Sequence, residues 1–143
     1  MAFSNGSSFV PQTGRGSGHW LLGWAQGVTS WIPFIGDFTG ERRSDVLVWS
    51  PSAGDWQVAG SDGVEFVPQL GAGNGHWLMP WAQGNSWAAG VGDFNGDGKM
   101  DVVVWYQPNG NWQVATSDGF RLNPQPGRGD GNWLVGWAPV LLQ

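Results

Sequence analysis

Residues 92–105 read Gly92-Asp-Phe-Asn-Gly-Asp-Gly-Lys-Met-Asp-Val-Val-Val-Trp105. The end of this stretch is a short run of β-branched and aromatic residues, which is typical of a buried strand. The Gly and Asp residues before it predict a tight turn. The same marker occurs earlier as Gly36-Asp-Phe-Thr-Gly-Glu-Arg-Arg-Ser-Asp-Val-Leu-Val-Trp49. A marker that recurs after ~56 residues indicates an internal repeat, and repeats decide the fold class.

The repeat covers nearly the whole chain. Residues 31–81 align with 87–137 without a gap, and 25 of the 51 positions are identical. A shorter copy at the start, 4–24, matches 61–81 at 13 of 21 positions. No break in composition divides the copies, so we predict one repeat domain over 1–143. Its parts are a partial repeat, two full repeats and a tail, at 4–24, 25–81, 82–137 and 138–143.

Each full repeat is predicted to form four short strands. They lie at 31–36, 45–49, 56–59 and 65–67 in the first repeat, and at 87–92, 101–105, 112–115 and 121–123 in the second. No helical apolar period of useful length appears, so we predict an all-β fold made of β-propeller blades with four antiparallel strands each. Two blades cannot close a ring, and known propellers have roughly 4 to 8. We therefore expect chains to associate head to tail into a homo-oligomeric ring.

Composition excludes several classes of protein. The chain has 12 Trp, 25 Gly and a net charge of −5, and so many aromatic residues with so few charges favour a packed domain over disorder. Nucleic acid is not an expected partner, because phosphate binding needs clustered Lys and Arg. No apolar run reaches the roughly 20 residues of a membrane span, and no signal peptide is recognised, which leaves the localisation open. Without Cys, disulfides and thiolate metal sites are excluded.

The acidic turn of the second repeat offers ligands for a hard cation. Asp93, Asn95, Asp97 and Asp101 place side-chain oxygens at positions 1, 3, 5 and 9, with Gly at position 6. Ca²⁺ takes several oxygen ligands from such a compact loop, so we predict a Ca²⁺ site here. The equivalent loop, 37–45, has Glu for the central Asp and two Arg residues, so we expect weak or no Ca²⁺ binding, with an Arg pairing with the carboxylates instead. The alternative is that both loops are hydrogen-bonded Asx turns without metal.

The marker resembles the FG-GAP/VCBS blade repeat, which also occurs in the integrin α-subunit propeller. This resemblance spans nearly the whole chain, and it implies that the acidic turn joins the first two strands of a blade and holds Ca²⁺. The blade length, the Gly-x-Trp connection and the similarity of the units resemble the Psathyrella velutina lectin family, seven-bladed propellers with sugar sites between neighbouring blades. This chain is far shorter and richer in Trp. The resemblance implies sugars of the N-acetylglucosamine type, while the residues alone leave fucose and galactose open.

Three Trp-bearing connections are the candidate carbohydrate sites. They read His19-Trp20-Leu-Leu-Gly-Trp24, His76-Trp77-Leu-Met-Pro-Trp81 and Asn132-Trp133-Leu-Val-Gly-Trp137. The C–H face of a pyranose stacks on indole, while imidazole and amide groups bond its hydroxyls. One Trp of each connection is expected in the core, as are strand tryptophans such as Trp49 and Trp56.

The two histidines could instead be metal ligands or general bases. The third copy has Asn132 in their place, and a hydrogen-bonding role survives this exchange whereas acid–base or metal chemistry does not. A glycosidase pair could be drawn from Asp55, Asp62 or Asp118. The last two lie in repeated Ser-Asp-Gly turns, where an Asx turn is the expected role.

Recurring sites favour multivalent binding over catalysis. We therefore predict a non-enzymatic lectin with glycans or glycoconjugates as partners. The alternative is a structural or adhesion module with Ca²⁺-binding loops and no sugar ligand. A glycoside hydrolase is a third hypothesis.

Overall fold

The structure is a computed structural model that describes residues 2–14, 16, 18–27 and 30–138. The predicted tail therefore lies outside the described residues from 139 on, as do residues 28 and 29 of the first full repeat. The described chain forms ten strands in three antiparallel sheets, which confirms the all-β prediction. Within these ranges no helix has the length and apolar character needed to cross a membrane.

The strands group by repeat. An N-terminal hairpin pairs β1 (Ala2–Ser4) with β2 (Phe9–Pro11). The first full repeat is a sheet of β3 (Ile32–Gly36), β4 (Asp45–Ser50), β5 (Asp55–Ser61) and β6 (Phe66–Pro68). The second is a sheet of β7 (Trp87–Gly92), β8 (Asp101–Tyr106), β9 (Asn111–Ser117) and β10 (Leu122–Pro124). Within each four-stranded sheet every strand pairs with the next one in the chain, which is the four-strand order predicted for a full repeat.

The observed strand bounds differ from the predicted ones mainly at the third and fourth strands. The third strand of the first repeat extends to Ser61, because β6 pairs with its second half and places Phe66 opposite Ser61. The sequence predicts that the fourth strand stops before Pro68, but Pro68 is its last residue, opposite Ala59. A proline is tolerated there because β6 is an edge strand, whose outer side needs no N–H donor.

The turns between the second and third strands lie where Gly predicts them. Gly54 has a φ of 64° and donates its N–H to Ser50 O at 2.8 Å. A Cβ at this position would lie 2.8 Å from Trp81 N, so both the backbone angle and the available space require glycine. The equivalent Gly110 has a φ of 71° and donates to Tyr106 O at 3.0 Å.

The core lies between the two four-stranded sheets. The Trp49 and Trp56 rings stack with centroids 5.0 Å apart and planes at 10°. Both rings are buried, which confirms that these strand tryptophans belong to the core. The second repeat contributes buried residues to the same cluster, namely Val102, Val104, Ala115 and Leu122. The repeats also approach closely at Gly36, where a Cβ would lie 2.5 Å from Met100 Cγ.

The two full repeats are thus copies of one sheet that pack side by side. This arrangement is consistent with a β-propeller-like repeat domain. The number of blades in an assembled ring and the closure of that ring stay predictions.

Candidate functional site

The connection that follows β6 joins its own repeat to the next one. Trp77 N donates to Trp56 O at 2.7 Å, and Trp56 N donates to Leu78 O at 3.0 Å, so the connection pairs with the start of β5. On its other side, Trp77 O accepts the N–H of Leu122, the first residue of β10, at 3.1 Å. The connection is therefore held between the two sheets.

The first Trp of a connection is a core residue where the next repeat covers it. Trp20 and Trp77 are both buried, which agrees with the expectation that one Trp of each connection lies in the core. Trp20 O accepts the N–H of Phe66 at 3.0 Å, and the Trp20 and Phe66 rings lie 5.3 Å apart. Trp133, the third copy, is exposed. Burial leaves the first two rings little surface for stacking on a sugar.

The second Trp of a connection ties it to the turn between the second and third strands. Trp81 N donates to Gly54 O at 2.9 Å, and Trp81 O accepts Trp56 Nε1 at 3.0 Å. The same two hydrogen bonds recur at Trp137, whose side chain is exposed. Trp24 and Trp81 are half-buried. Trp81 and Trp137 therefore have a structural role that the sequence pattern alone does not reveal.

A cavity of about 490 Å³ lies where the second connection meets the next repeat. The residues that line it include Asn74, His76, Leu78, Met79, Pro80 and Arg121. The cavity is lined by both His76 and Trp77, whereas Trp81 is not among its lining residues. Of the candidate carbohydrate residues in this connection, the structure thus groups two around one cavity.

A buried carboxylate orients His76 at this cavity. His76 Nδ1 lies 2.5 Å from Asp55 Oδ1, and Gln57 Nε2 donates to Asp55 Oδ2 at 2.8 Å. Because a hydrogen bond between an imidazole nitrogen and a carboxylate oxygen needs a proton, Nδ1 is the donor and Nε2 is left for a ligand. The Asp55 side chain is only 7% exposed while that of His76 is 31% exposed. The carboxylate is therefore a positioning group, and the imidazole is the group that can reach a ligand.

The equivalent group in the second repeat is built from amides. Asn111 and Asn132 stand where the first repeat has Asp55 and His76, and Gln113 Nε2 donates to Asn132 Oδ1 at 3.2 Å. Two residues far apart in the repeat have thus changed together. This joint exchange is the signal in the sequence that could have identified Asp55 as the partner of His76. Asn74 and Arg121 were not among the candidates. Asn74 lies in the same connection as His76, two residues before it, whereas the place of Arg121 beside the cavity depends on how the repeats pack.

The first connection carries His19, whose side chain is exposed. Residues 15 and 17 of the Gly-rich segment before it lie outside the described residues. Of the two candidate histidines, His76 is therefore the one whose connection is described without a gap.

The acidic turn of the second repeat is a network of hydrogen bonds to the backbone. Asp93 Oδ1 accepts the N–H groups of Gly96 and Asp97, at 2.7 and 3.1 Å. Asp101 is buried, and its two oxygens accept N–H groups at 2.9 Å, one from the turn and one from Ser117. Burial raises the pKa of the Asp101 carboxyl. Asn95 donates its side-chain amide to Asp97 Oδ2 at 3.3 Å.

These carboxylates face N–H donors and a lysine. Asp97 Oδ2 lies 3.2 Å from Lys99 Nζ, and the N–H of Lys99 is the main cause that lowers the pKa of Asp97. Across the described part of the chain, no group of three or more His, Cys, Asp or Glu residues is arranged to hold a metal ion. The turn has the hydrogen-bonded form that the sequence left open as the alternative. Binding of Ca²⁺ in this turn stays a prediction.

The equivalent turn in the first repeat contains the predicted arginine contact. Arg43 pairs with Glu41, and Arg43 Nε donates to Ser61 O at 2.6 Å. Asp45 is buried and its Oδ2 accepts the N–H of Phe38 at 3.0 Å, as Asp101 does in the second repeat. The turn is therefore held by an internal cation and by backbone donors.

The repeated Ser-Asp-Gly turns are Asx turns, as predicted. Asp62 Oδ1 accepts the N–H groups of Val64 and Glu65, each at 2.8 Å. Asp118 Oδ1 accepts the equivalent two N–H groups at 2.9 Å. Asn5 Oδ1 does the same in the N-terminal hairpin, which shows that the turn needs an oxygen acceptor but not a charge.

Comparison with known proteins agrees with this repeat architecture. A family model described as FG-GAP-like repeat matches residues 37–104, from the acidic turn of the first repeat to β8. The match supports a repeat-containing, β-rich fold for this chain. No curated protein and no solved structure matches it.

Proposed function

We propose that the protein is a multivalent lectin that binds carbohydrate in the cavity between consecutive repeats. One observation carries this proposal. A cavity of about 490 Å³ combines the oriented His76 with the polar groups of Asn74 and Arg121 beside an apolar wall that includes Leu78 and Met79. Small-molecule sites typically pair an apolar wall with a few fixed polar groups.

The cavity has the chemistry that a pyranose needs. His76 Nε2, the Asn74 amide and the Arg121 guanidinium can bond hydroxyl groups. Leu78, Met79 and other apolar atoms of the wall can cover the C–H face of the ring. An acetamido sugar fits this combination, because its amide needs polar partners and its methyl group needs an apolar surface. Sugars of the N-acetylglucosamine type are therefore the first class to test.

Repetition of the site supports multivalency. The second repeat offers Asn132 held by Gln113, and the first connection offers His19. Weak contacts at several such sites on one particle give high avidity when they engage a branched glycan together. A repeated hydrogen-bonding site tolerates His or Asn, since both can donate and accept.

A glycan array with the labelled chain tests the proposal, followed by calorimetry with the best acetamido sugar. We expect the parent to bind and His76→Ala to weaken binding by about tenfold, the cost of one lost hydrogen bond of this kind. Gln107→Ala, a polar residue outside the connections and the cavity, is the control and should leave binding unchanged. An array without any signal would reject the lectin.

The acidic turns favour a second candidate, a structural or adhesion module with Ca²⁺-binding loops and no sugar ligand. Asp93 and Asp97 lie exposed in one such turn, where an ion can reach them. Calorimetry with Ca²⁺ should then give heat that Asp97→Ala removes, and Glu41→Ala in the first turn should leave it unchanged. No heat from the parent would end this candidate. Hydrolysis of a sugar found on the array would favour the glycoside hydrolase.

A further inference from the structure

The contact between the two full repeats includes three main-chain acceptors of the first repeat. One is Asp37 O, which accepts the N–H of Met100 at 2.7 Å. The other two face residues that have counterparts in the N-terminal hairpin. Trp77 O accepts the N–H of Leu122 at 3.1 Å, and Phe38 O accepts Ser117 Oγ at 2.6 Å. The side chains of both acceptor residues are covered by the second repeat, with Phe38 0% and Trp77 2% exposed. One repeat of this chain therefore covers another through three defined hydrogen bonds and two buried aromatic rings.

The equivalent surface of the second repeat is open. We call it the end face, and we define it by Phe94, Trp105, Trp112 and Trp133. Phe94 and Trp133 stand where the first repeat has Phe38 and Trp77, respectively. Phe94 and Trp133 are each 41% exposed. Trp105 and Trp112 stack as their counterparts do, with centroids 5.1 Å apart, but they are only half-buried. A cavity of about 170 Å³ lies beside these two rings.

The N-terminal hairpin carries the residues that would cover the end face. By the repeat alignment, Ser4 stands where the second repeat has Ser117, and Phe9 stands where it has Leu122. Phe9 is 76% exposed, whereas Leu122 is 2% exposed. Among the described residues, both halves of one inter-repeat contact are thus exposed.

We propose that copies of this chain join head to tail, with the hairpin of one copy on the end face of another. In this joint Phe9 N donates to Trp133 O, and Ser4 Oγ donates to Phe94 O. A second copy is the occupant that the structure favours, because the joint continues an interface the chain already forms between its own repeats. The Phe66 N to Trp20 O hydrogen bond shows that one of these contacts also forms where the acceptor side is only a partial repeat.

The joint is heterologous, so a copy that uses its hairpin still has a free end face. Such contacts continue until the ring closes or a filament forms. By the repeat alignment, Ser8 stands where the second repeat has Arg121, which lines the His76 cavity. Asn132 is the counterpart of His76, so the joint would also set Ser8 of one copy beside Asn132 of the other. This last consequence rests on the proposed function, whereas the joint itself does not.

Native mass spectrometry and light scattering of the full chain test the joint. We expect the parent to have the mass of two or more 143-residue chains. Phe9→Glu should reduce it to a single chain, because a carboxylate would then face the indole of Trp133. Phe120→Glu is the matched control, the same substitution at a residue that is 73% exposed and outside the joint, and it should leave the mass unchanged. A monomeric parent, or an assembly that survives Phe9→Glu, would overturn the proposal.

A complementation experiment tests the direction of the joint. Trp133→Glu should also be monomeric, but it keeps an intact hairpin, and Phe9→Glu keeps an intact end face. Mixing them should produce a dimer with one copy of each, because only one joint can form, and failure to form it would reject the head-to-tail arrangement. Phe94→Glu can replace Trp133→Glu if circular dichroism shows that the latter does not fold. A parent that assembles but binds no sugar would reject the lectin and leave the joint standing.

Discussion

The two full repeats have the same strands and the same register, yet they differ in what covers them. In the first repeat, Phe38, Trp49 and Trp77 are buried beneath the second repeat. In the second repeat, the equivalents Phe94 and Trp133 are exposed. A residue type in a repeat therefore has no fixed role, because its burial depends on whether another unit docks on it.

The largest expected difference between the repeats concerns the first Trp of each connection. We expect Trp77→Ala to lower the free energy of unfolding by about 3–5 kcal/mol, because it leaves a cavity in the core between the sheets. Trp133→Ala should cost less than about half of that, because its ring is already partly solvated. Urea unfolding at low protein concentration measures both. Equal costs would show that the end face is not open in the free chain.

Protein concentration sharpens this comparison. If copies join head to tail, Trp133 becomes buried in the assembly, and binding to the folded state adds to stability by mass action. The cost of Trp133→Ala should then rise with protein concentration, while that of Trp77→Ala should change little. Repeating the urea unfolding across a concentration series measures this difference.

The two acidic turns differ at a residue with positive φ. Arg42 has a φ of 64°, and the equivalent Gly98 has a φ of 87°. A side chain in this region costs about 1 kcal/mol, and glycine avoids the cost. Arg42→Gly should therefore stabilise the chain by up to about 1 kcal/mol, and Gly98→Ala should destabilise it by a similar amount. Thermal unfolding of both variants checks the opposite signs, and a shift in the same direction would contradict the prediction.

Two polar residues of the first repeat, Asp55 and His76, can be replaced by the residue types at the equivalent positions of the second repeat. Asp55→Asn with His76→Asn gives the first repeat the amides that the second has at Asn111 and Asn132. Because amides can replace both partners, the double variant should change stability by less than about 1 kcal/mol, whereas Asp55→Asn alone should cost more. A double-mutant cycle measured by urea unfolding gives the coupling between the two residues. Additive costs would show that the Asp55–His76 contact is not needed for the fold.

Much of the fold could be predicted from the sequence, because it depends on local patterns. Turn glycines such as Gly54 and strand runs such as 101–105 act through neighbours in the chain, and both lie where predicted. The candidate site could be predicted only in part. Whether Trp20 or Trp133 is exposed depends on the next unit, and the cavity beside His76 includes Arg121 from another repeat. These features arise from packing between units, which a pattern within one repeat does not contain.

The smallest expected effect concerns the Asx turns and acid. The N–H groups of Glu65 and Val64 hold the pKa of Asp62 below 3.8. A carboxyl with a lowered pKa in the folded state gives stability that is present above the unfolded pKa and is lost as the pH falls through the folded one. Asp62→Asn keeps the turn, as Asn5 does in the hairpin, but its side chain does not titrate. The variant should match the parent near neutral pH and lose slightly less stability below pH 3.8.

Urea unfolding at several pH values measures this difference. A parent that loses no more stability in acid than Asp62→Asn would show that the turn depends on the acceptor oxygen alone. The negative charge of Asp62 and Asp118, which Asn5 lacks, would then have no role in holding the turn.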